Sequence, residues 1–354
     1  MNRPEVVVVG AGIIGLASAF VLARDGFAVT LVDPAPGGGA TYAAAGMLAP
    51  SAEYLAGEEE NYALQRSAVA SWRSLSASVA EVTGSHIALH EVGTLVVGWD
   101  QGDRLALAQA QQVALAAGID VSVVRRDDQP DSFRHLNERM TSGLYYGGEA
   151  WIDPDEAVAS LRQAIALLGG VFIAAEVHDS SESPSSVHLS TSAGSLEAGV
   201  VLFTTGAATP PVSATLTHAV RPIRGLTVRC DGVDRFGLPM VRAGVRGRPF
   251  YLVGRAQAHC VIGATAQEAG SDSVEIGEMR RLLSDALDVV PALEVASWTQ
   301  TRVGHRPVSP SGVPFFEHHP GSRWAWSSGH YRHGVTLAPL AAGWALDFAR
   351  SVAS

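Results

Sequence analysis

Cysteine is scarce in this chain: Cys230 and Cys260 are the only two among 354 residues. A disulfide framework is excluded. Two buried thiols are the simpler reading, in keeping with a reducing compartment such as the cytoplasm. Positive charge is also short, with 25 Lys and Arg against 35 Asp and Glu and a formal net charge of −10. Attraction of the whole molecule to nucleic acid or to an anionic membrane is therefore not expected, although a local basic pocket stays open. No apolar run reaches the roughly 18 uninterrupted residues that a membrane helix needs. The stretch from Arg3 to Ala23 superficially resembles a signal peptide. It is broken by Gly10, Gly12 and Gly15, ends at Arg24-Asp25-Gly26 and has no small-residue cleavage pattern, so it reads as a buried strand and helix. Metal ligands do not cluster either. His330 and His333 lie three residues apart in a glycine-rich turn with no Cys or carboxylate beside them, and no metal is expected.

What is present fits a globular chain. Hydrophobic residues make up 47% and charged residues 17%, enough for a sizeable core. The length suits one large or two medium domains. Near the start, Glu5-Val6-Val7-Val8-Val9 has the β-branched run of a strand buried on both faces. Gly10-Ala11-Gly12-Ile13-Ile14-Gly15 follows at once. Leu16 to Arg24 then reads as a helix, Gly26-Phe27 as a turn, and Ala28 to Val32 as a second strand ending at Asp33. In such a βαβ unit Gly10 permits the tight turn, Gly12 lets the backbone approach a pyrophosphate, and Gly15 lets helix and sheet pack closely. The helix N-terminus, with Ile13 and Ile14, offers N–H groups and partial positive charge to phosphates. Asp33 stands where a carboxylate accepts bonds from ribose hydroxyls. The unit predicts dinucleotide binding without separating FAD from NAD.

Five further segments carry a resemblance. The first is Gly37-Gly38-Gly39-Ala40-Thr41-Tyr42-Ala43-Ala44-Ala45-Gly46-Met47-Leu48-Ala49-Pro50, whose small residues let backbone lie against a planar ligand. The others are Tyr145 to Pro154, Gly170 to Val177, Val200 to Ala207, and Ser328-Gly329-His330-Tyr331-Arg332-His333-Gly334-Val335-Thr336-Leu337-Ala338-Pro339. Together they resemble the D-amino-acid oxidase superfamily, and within it the glycine oxidases of thiamine biosynthesis. The likeness spans nearly the whole chain and is strongest in its first and last 50 residues.

The resemblance implies FAD, held non-covalently. Thr41, Ala44, Ala45, Gly46 and Met47 would contact the flavin, the backbone of Val177 the adenine, and Thr205 and Gly206 the nucleotide. His330, Tyr331, Arg332, His333, Gly334, Val335 and Thr336 would present a helix N-terminus to the flavin pyrimidine edge, which becomes anionic on reduction. The expected fold is α/β, a Rossmann-like FAD domain with an α+β substrate domain on an antiparallel sheet. Residues 1–83, 141–214 and 305–354 would form the first, and 84–140 and 215–304 the second. Strand patterns occur at Ile87–Val97, Val220–Cys230, Pro249–Gly254 and His259–Ala264, and helical ones at Arg104–Ala117 and Ile276–Leu287. Val187–Leu189 and Leu196–Phe203 read as a hairpin, and Ser180 to Ser186 as a polar loop.

For the substrate, a carboxylate needs a bidentate, permanently charged partner, which guanidinium supplies. The resemblance gives that role to Arg332, sets Arg306 beside it, and has Tyr251 donate its hydroxyl. It implies oxidation of a small amino acid by hydride transfer to flavin N5, reoxidation by O2 to H2O2, and release of an α-keto acid and ammonia. It also implies a homotetramer. Glycine is the expected substrate. Two departures from the family pattern, Ala266 for a methionine and Gly254 for a proline, keep sarcosine and small D-amino acids in view. A dehydrogenase using another acceptor, a flavin-bearing subunit without activity, and a nicotinamide dehydrogenase are the other readings.

Overall fold

A computed structural model describes residues 5–212, 216–268 and 271–354. Its first layer is a six-stranded sheet in the order Phe315–Glu317, Trp324–Ser328, Val200–Phe203, Val6–Val9, Val29–Val32, Val171–Ile173. All pairs are parallel except the first. Val6–Val9, Val29–Val32 and Val200–Phe203 are buried throughout. Such strands need a layer on each face. On one face pack the helices Ile13–Arg24, Glu59–Thr83, Pro154–Leu167 and Gly334–Ala353, around Leu16, Phe20, Trp72, Leu161 and Phe348. On the other lies a three-stranded sheet, Val177–Glu182, Val187–Thr191 and Gly194–Ala198, whose Val187, Leu189 and Ala198 meet Val7, Val9 and Trp326.

The second layer is a nine-stranded sheet. Its centre runs Arg221–Asp231, His259–Gly263, Arg248–Gly254, Met240–Val245, Thr94–Gly98, Ser142–Tyr146. Ser297–Val308 pairs along nearly the whole of Arg221–Asp231. The helix Ile276–Val289 covers one face, with Met279, Leu282 and Ala286 against Val228, Leu252 and Ile262. No helix of the described residues is long and apolar enough to cross a membrane.

Several expectations change. The sheet is not wholly antiparallel, since Met240–Val245 and Thr94–Gly98 run parallel. Of Ile87–Val97 only Thr94 onward is strand; His90 makes an isolated bridge to Trp151. Ser142–Tyr146 joins this sheet, away from the nucleotide-binding strands with which the sequence grouped it. Leu196–Phe203 is two strands in different sheets, parting at Gly199, because Val200–Phe203 is buried on both faces and a hairpin arm is not. Ser180 to Glu182 is strand and not loop, with Ser180 turned inward and donating to the carbonyl of Pro211. The strand expected to reach Val177 stops at Ile173, and Val177 opens the three-stranded sheet. Cys230 and Cys260 stand directly opposite each other on paired strands as buried free thiols.

Candidate active site

Strand order reverses around Val6–Val9: its hydrogen-bonded neighbours are Val29–Val32 on one side and Val200–Phe203 on the other. In open α/β sheets the crevice beyond the carboxyl ends at such a point is where ligands bind. Gly10 follows Val9 and Thr204 follows Phe203, and both line a cavity of about 700 Å³. The cavity runs from this crevice to the face of the second sheet.

The glycine loop is fixed by its neighbours. Gly10 has a φ of +102°, and a Cβ there would lie 2.5 Å from the Thr204 carbonyl oxygen. A Cβ on Gly15 would lie 1.9 Å from the Gly10 carbonyl oxygen, so this glycine serves the helix–strand approach. The Asp33 carboxylate accepts from the amides of Ala11 at 2.6 Å and Ala35 at 2.7 Å. It thus ties the loop to the second strand. Thr41 Oγ1 accepts from the Ile13 amide at 3.0 Å. Gly12 caps the helix Ile13–Arg24 without a side chain of its own, and apart from the Thr41 hydroxyl on Ile13 the helix end faces the cavity.

The small-residue stretch is held from behind by arginines that the sequence reading did not single out. Arg255, buried, donates to the carbonyls of Ala45 at 2.6 Å and Ile152 at 3.3 Å, and its guanidinium lies 4.2 Å from the Trp151 ring centroid. Burial pulls its pKa down to about 10. Arg302 donates to the Tyr42 carbonyl and to Asp155, at 2.9 and 2.8 Å. Thr227 Oγ1 donates to the Ala43 carbonyl at 3.0 Å. A Cβ on Gly46 would strike the Ile152 carbonyl at 1.9 Å.

At the other end of the chain the strand Trp324–Ser328 enters a turn with Gly329 at φ +77° and Tyr331 at +47°. A non-glycine residue held there stores strain, a common mark of a functional turn. Ser328 donates to the Gly206 carbonyl at 2.6 Å, joining this turn to the crevice. His330 and His333 are buried, and burial lowers both to about 4, so both are neutral at physiological pH. Among the described residues, His330 Nε2 and Ser327 Oγ have no protein hydrogen-bond partner, and both residues line the cavity.

The far wall comes from the second sheet. Arg242 and Tyr251 face each other across paired strands, and Arg306 extends from Ser297–Val308. The Arg306 guanidinium lies flat on the backbone of Gly225, where a Cβ would be 2.2 Å from it, and donates to the Thr265 carbonyl at 3.1 Å. The Tyr251 ring rests likewise on Gly263. Burial raises the Tyr251 phenol, while Arg306 and Arg242 pull it back. Glu53 pairs with Arg242 at 2.5 Å and with Arg332 at 3.5 Å. Burial opposes its charge, yet Arg242, Arg332 and His333 hold it down to about 2. Behind it, Glu149 accepts from the Ala52 amide at 2.7 Å, and burial pushes its pKa up to about 7.

Of the residues expected from sequence, Gly10, Gly12, Ile13, Ile14, Asp33, Thr41, Ala44, Ala45, Gly46, Met47, Thr205, Gly206 and His330 through Val335 line this one cavity with Tyr251 and Arg306. Gly15, Val177 and Thr336 lie outside its lining. Thr336 instead donates to the Met47 carbonyl at 3.3 Å. Ala266 lines the cavity, but Gly254 does not; a Cβ there would meet the backbone of Arg235 at 2.6 Å. Glu53 and Arg242 were not foreseen. An arginine within Met240–Val245, an otherwise apolar strand, was the available signal for the second.

These features suit FAD. The glycine loop leaves room where a side chain would intrude, a helix N-terminus faces the diphosphate end, and unpartnered polar atoms wait at the ring end. Comparison with known proteins agrees. A family model described as FAD dependent oxidoreductase matches residues 5–347. The glycine oxidase of Geobacillus kaustophilus is 28% identical over 348 residues, 96% of this chain and 91% of that protein. The glycine oxidase of Pseudomonas putida is 28% identical, covering 95% and 91%. The crystal structure of the Geobacillus kaustophilus enzyme superposes with a TM-score of 0.89 at 27% identity, covering 99% of this chain and 95% of that one. The chain belongs to the FAD-dependent oxidoreductase family typified by D-amino-acid oxidase, and FAD is its cofactor.

Proposed function

We propose that this flavoenzyme oxidises the Cα–N bond of a small amino acid, glycine first, with sarcosine and small D-amino acids as the nearest alternatives. The observation that carries the reading is the meeting of Tyr251, Arg306 and Arg332, from three separate elements, on the wall of the cavity whose opposite end is the glycine loop. Two guanidinium groups and a phenol form a receptor for one carboxylate. The relatives' names as glycine oxidases point the same way.

Bound FAD would supply the acceptor for the electron pair of the Cα–H bond and its route to O2 as H2O2. The protein's share is orientation and electrostatics. Arg332 and Arg306 grip the carboxylate, with the Tyr251 hydroxyl donating to it. His333, neutral, and the N-terminus of Gly334–Ala353 stand where negative charge collects. The Ala44–Met47 backbone, braced by Arg255, would lie against the flavin. The imine hydrolyses to an α-keto acid and ammonia. We assign residues 1–83, 141–214 and 305–354 to FAD binding and 84–140 and 215–304 to the substrate side, except that the strand Ser142–Tyr146 pairs into the substrate-side sheet. Neither cysteine lines the cavity, and we infer non-covalent FAD.

The test is anaerobic mixing of the holoenzyme with glycine, sarcosine and D-alanine, followed by the visible flavin absorbance. Bleaching by at least one of them, and peroxide on admitting air, is the expected result. A flavin that none of them bleaches overturns the reading.

A further inference from the structure

Arg306 reaches its place by crossing a strand. It stands on Ser297–Val308, and its guanidinium lies over Gly225 of the neighbouring strand Arg221–Asp231. Beyond that strand it donates to the Thr265 carbonyl. The carbonyl belongs to an irregular stretch of chain. Thr227 pairs with Gly263 and Arg224 with Gln267, so three residues, Ala264, Thr265 and Ala266, stand opposite two, Gly225 and Leu226. Such a β-bulge re-aims groups beside an active site, and all three of its residues line the cavity.

A bulge disrupts the ladder, and here a side chain takes over the missing bonds. Thr265 Oγ1 accepts from the Leu226 amide at 2.9 Å, and its hydroxyl donates to Glu278. Glu278 belongs to the helix Ile276–Val289, on the face of the sheet turned away from the cavity. It is fully buried and pairs with the equally buried Arg224 at 2.8 Å. Arg224 also donates to the carbonyls of Ser271 and Ser273, at 2.9 and 2.6 Å, and to the Gln267 side chain at 3.0 Å. Of this network Thr265 lines the cavity, while Arg224, Gln267, Ser271, Ser273 and Glu278 do not. A buried ion pair is a weak source of stability, since apolar side chains of the same volume often do as well. A fixed direction for one carbonyl is what apolar packing does not provide. Resting on the reading that Arg306 holds the substrate carboxylate, we propose that Thr265 and Glu278 are positioning residues for substrate binding. Glu278 fixes the Thr265 hydroxyl, the hydroxyl fixes the bulge, and the bulge aims the carbonyl that holds one side of the Arg306 guanidinium. The remaining N–H groups of Arg306 are then set for the carboxylate.

The test uses the FAD-loaded enzyme and whichever of glycine, sarcosine and D-alanine bleaches its flavin anaerobically. Thr265→Val keeps the shape and loses the hydroxyl; Thr265→Ser keeps the hydroxyl. Thr265→Val should raise the half-saturation for bleaching roughly tenfold, as for one weakened charged hydrogen bond. The limiting rate and FAD retention should stay close to the parent's, because binding common to ground and transition states is what is lost. Thr265→Ser should restore the parent value, and Glu278→Gln should shift it in the same direction by less. Acetate, read from the oxidised flavin difference spectrum, should bind more weakly to Thr265→Val as well. Adding Thr265→Val to Arg306→Met should change the half-saturation no further, since the first acts through the second. If Thr265→Val does not fold, Thr265→Ala replaces it, and if Arg306→Met saturates with no substrate, the contrast with Thr265→Ser decides. An unchanged half-saturation in Thr265→Val, or an equal loss with and without Arg306, overturns the proposal and leaves amino-acid oxidation standing. An unchanged half-saturation in Arg306→Met takes away its premise and overturns it too. Failure of every amine to bleach the unaltered enzyme removes the oxidase reading along with it.

Discussion

Gly225 is worth more for what it leaves out than for what it contributes. Its missing side chain is the seat of the Arg306 guanidinium. Gly225→Ala places a methyl carbon on that seat, and the flexible arginine must move. The fold and the flavin spectrum should persist, while the half-saturation for substrate should rise roughly tenfold, as for one weakened charged hydrogen bond. An unchanged KM would show that Arg306 does not touch substrate. Arg332→Ala removes the second grip and should weaken binding by about 1.5–3 kcal/mol, with FAD retained. Unaltered steady-state kinetics would remove its assigned role. All 25 basic residues of the chain are arginine, with no lysine at all. Guanidinium offers a planar fork of donors that matches a carboxylate, which an ammonium does not.

Elements away from the cavity provide the controls. Helix Gln101–Ala116 begins with a capping box in which Asp100 accepts from the Asp103 amide and Asp103 from the Asp100 amide. Asp100→Ala should cost about 1 kcal/mol and lower Tm by roughly 2 °C, with KM unchanged; a loss of activity at unchanged Tm would contradict that. At this scale the sequence was readable where one element carries its own pattern. The four valines of Val6–Val9, the glycines after them and the Asp153-Pro154 helix start are local signals, and each formed as expected. Ser180–Glu182 was misread because an edge strand with only Ser180 turned inward has no apolar alternation to show. Ile87–Val97 was overextended for the opposite reason. Its alternation is real, but residues before Thr94 spend their contacts on other elements, such as Ile87 in the helical core and His90 stacked on Trp151.

At the scale of the whole molecule, the site joins pieces that no local pattern links. Glu53, Arg242 and Glu149 belong to a loop, a central strand and a turn, and only tertiary packing brings them together. Their absence from the sequence reading follows from that, whereas Gly10–Gly15 and Ser328–Thr336 each announce themselves within a dozen residues. The buried carboxyls also set a pH dependence. Glu149 keeps its proton to about 7 when folded, above the 4.5 of an unperturbed glutamate, mainly because of burial. Its contribution is fully present below about 4.5 and is lost as pH rises through 7, a change on the order of 3 kcal/mol. Glu149→Gln is neutral throughout, so unfolding free energy measured near pH 5 and near pH 8 should differ less in the variant than in the parent. Equal differences would mean that Glu149 is already ionised in the folded state at the lower pH. Finally, the crevice needs both Gly10 and the turn at Ser328–Thr336, and helix Ile13–Arg24 packs against Gly334–Ala353. A chain without residues 328–336 keeps the glycine loop but loses the opposite wall, so neither segment alone encloses the cofactor.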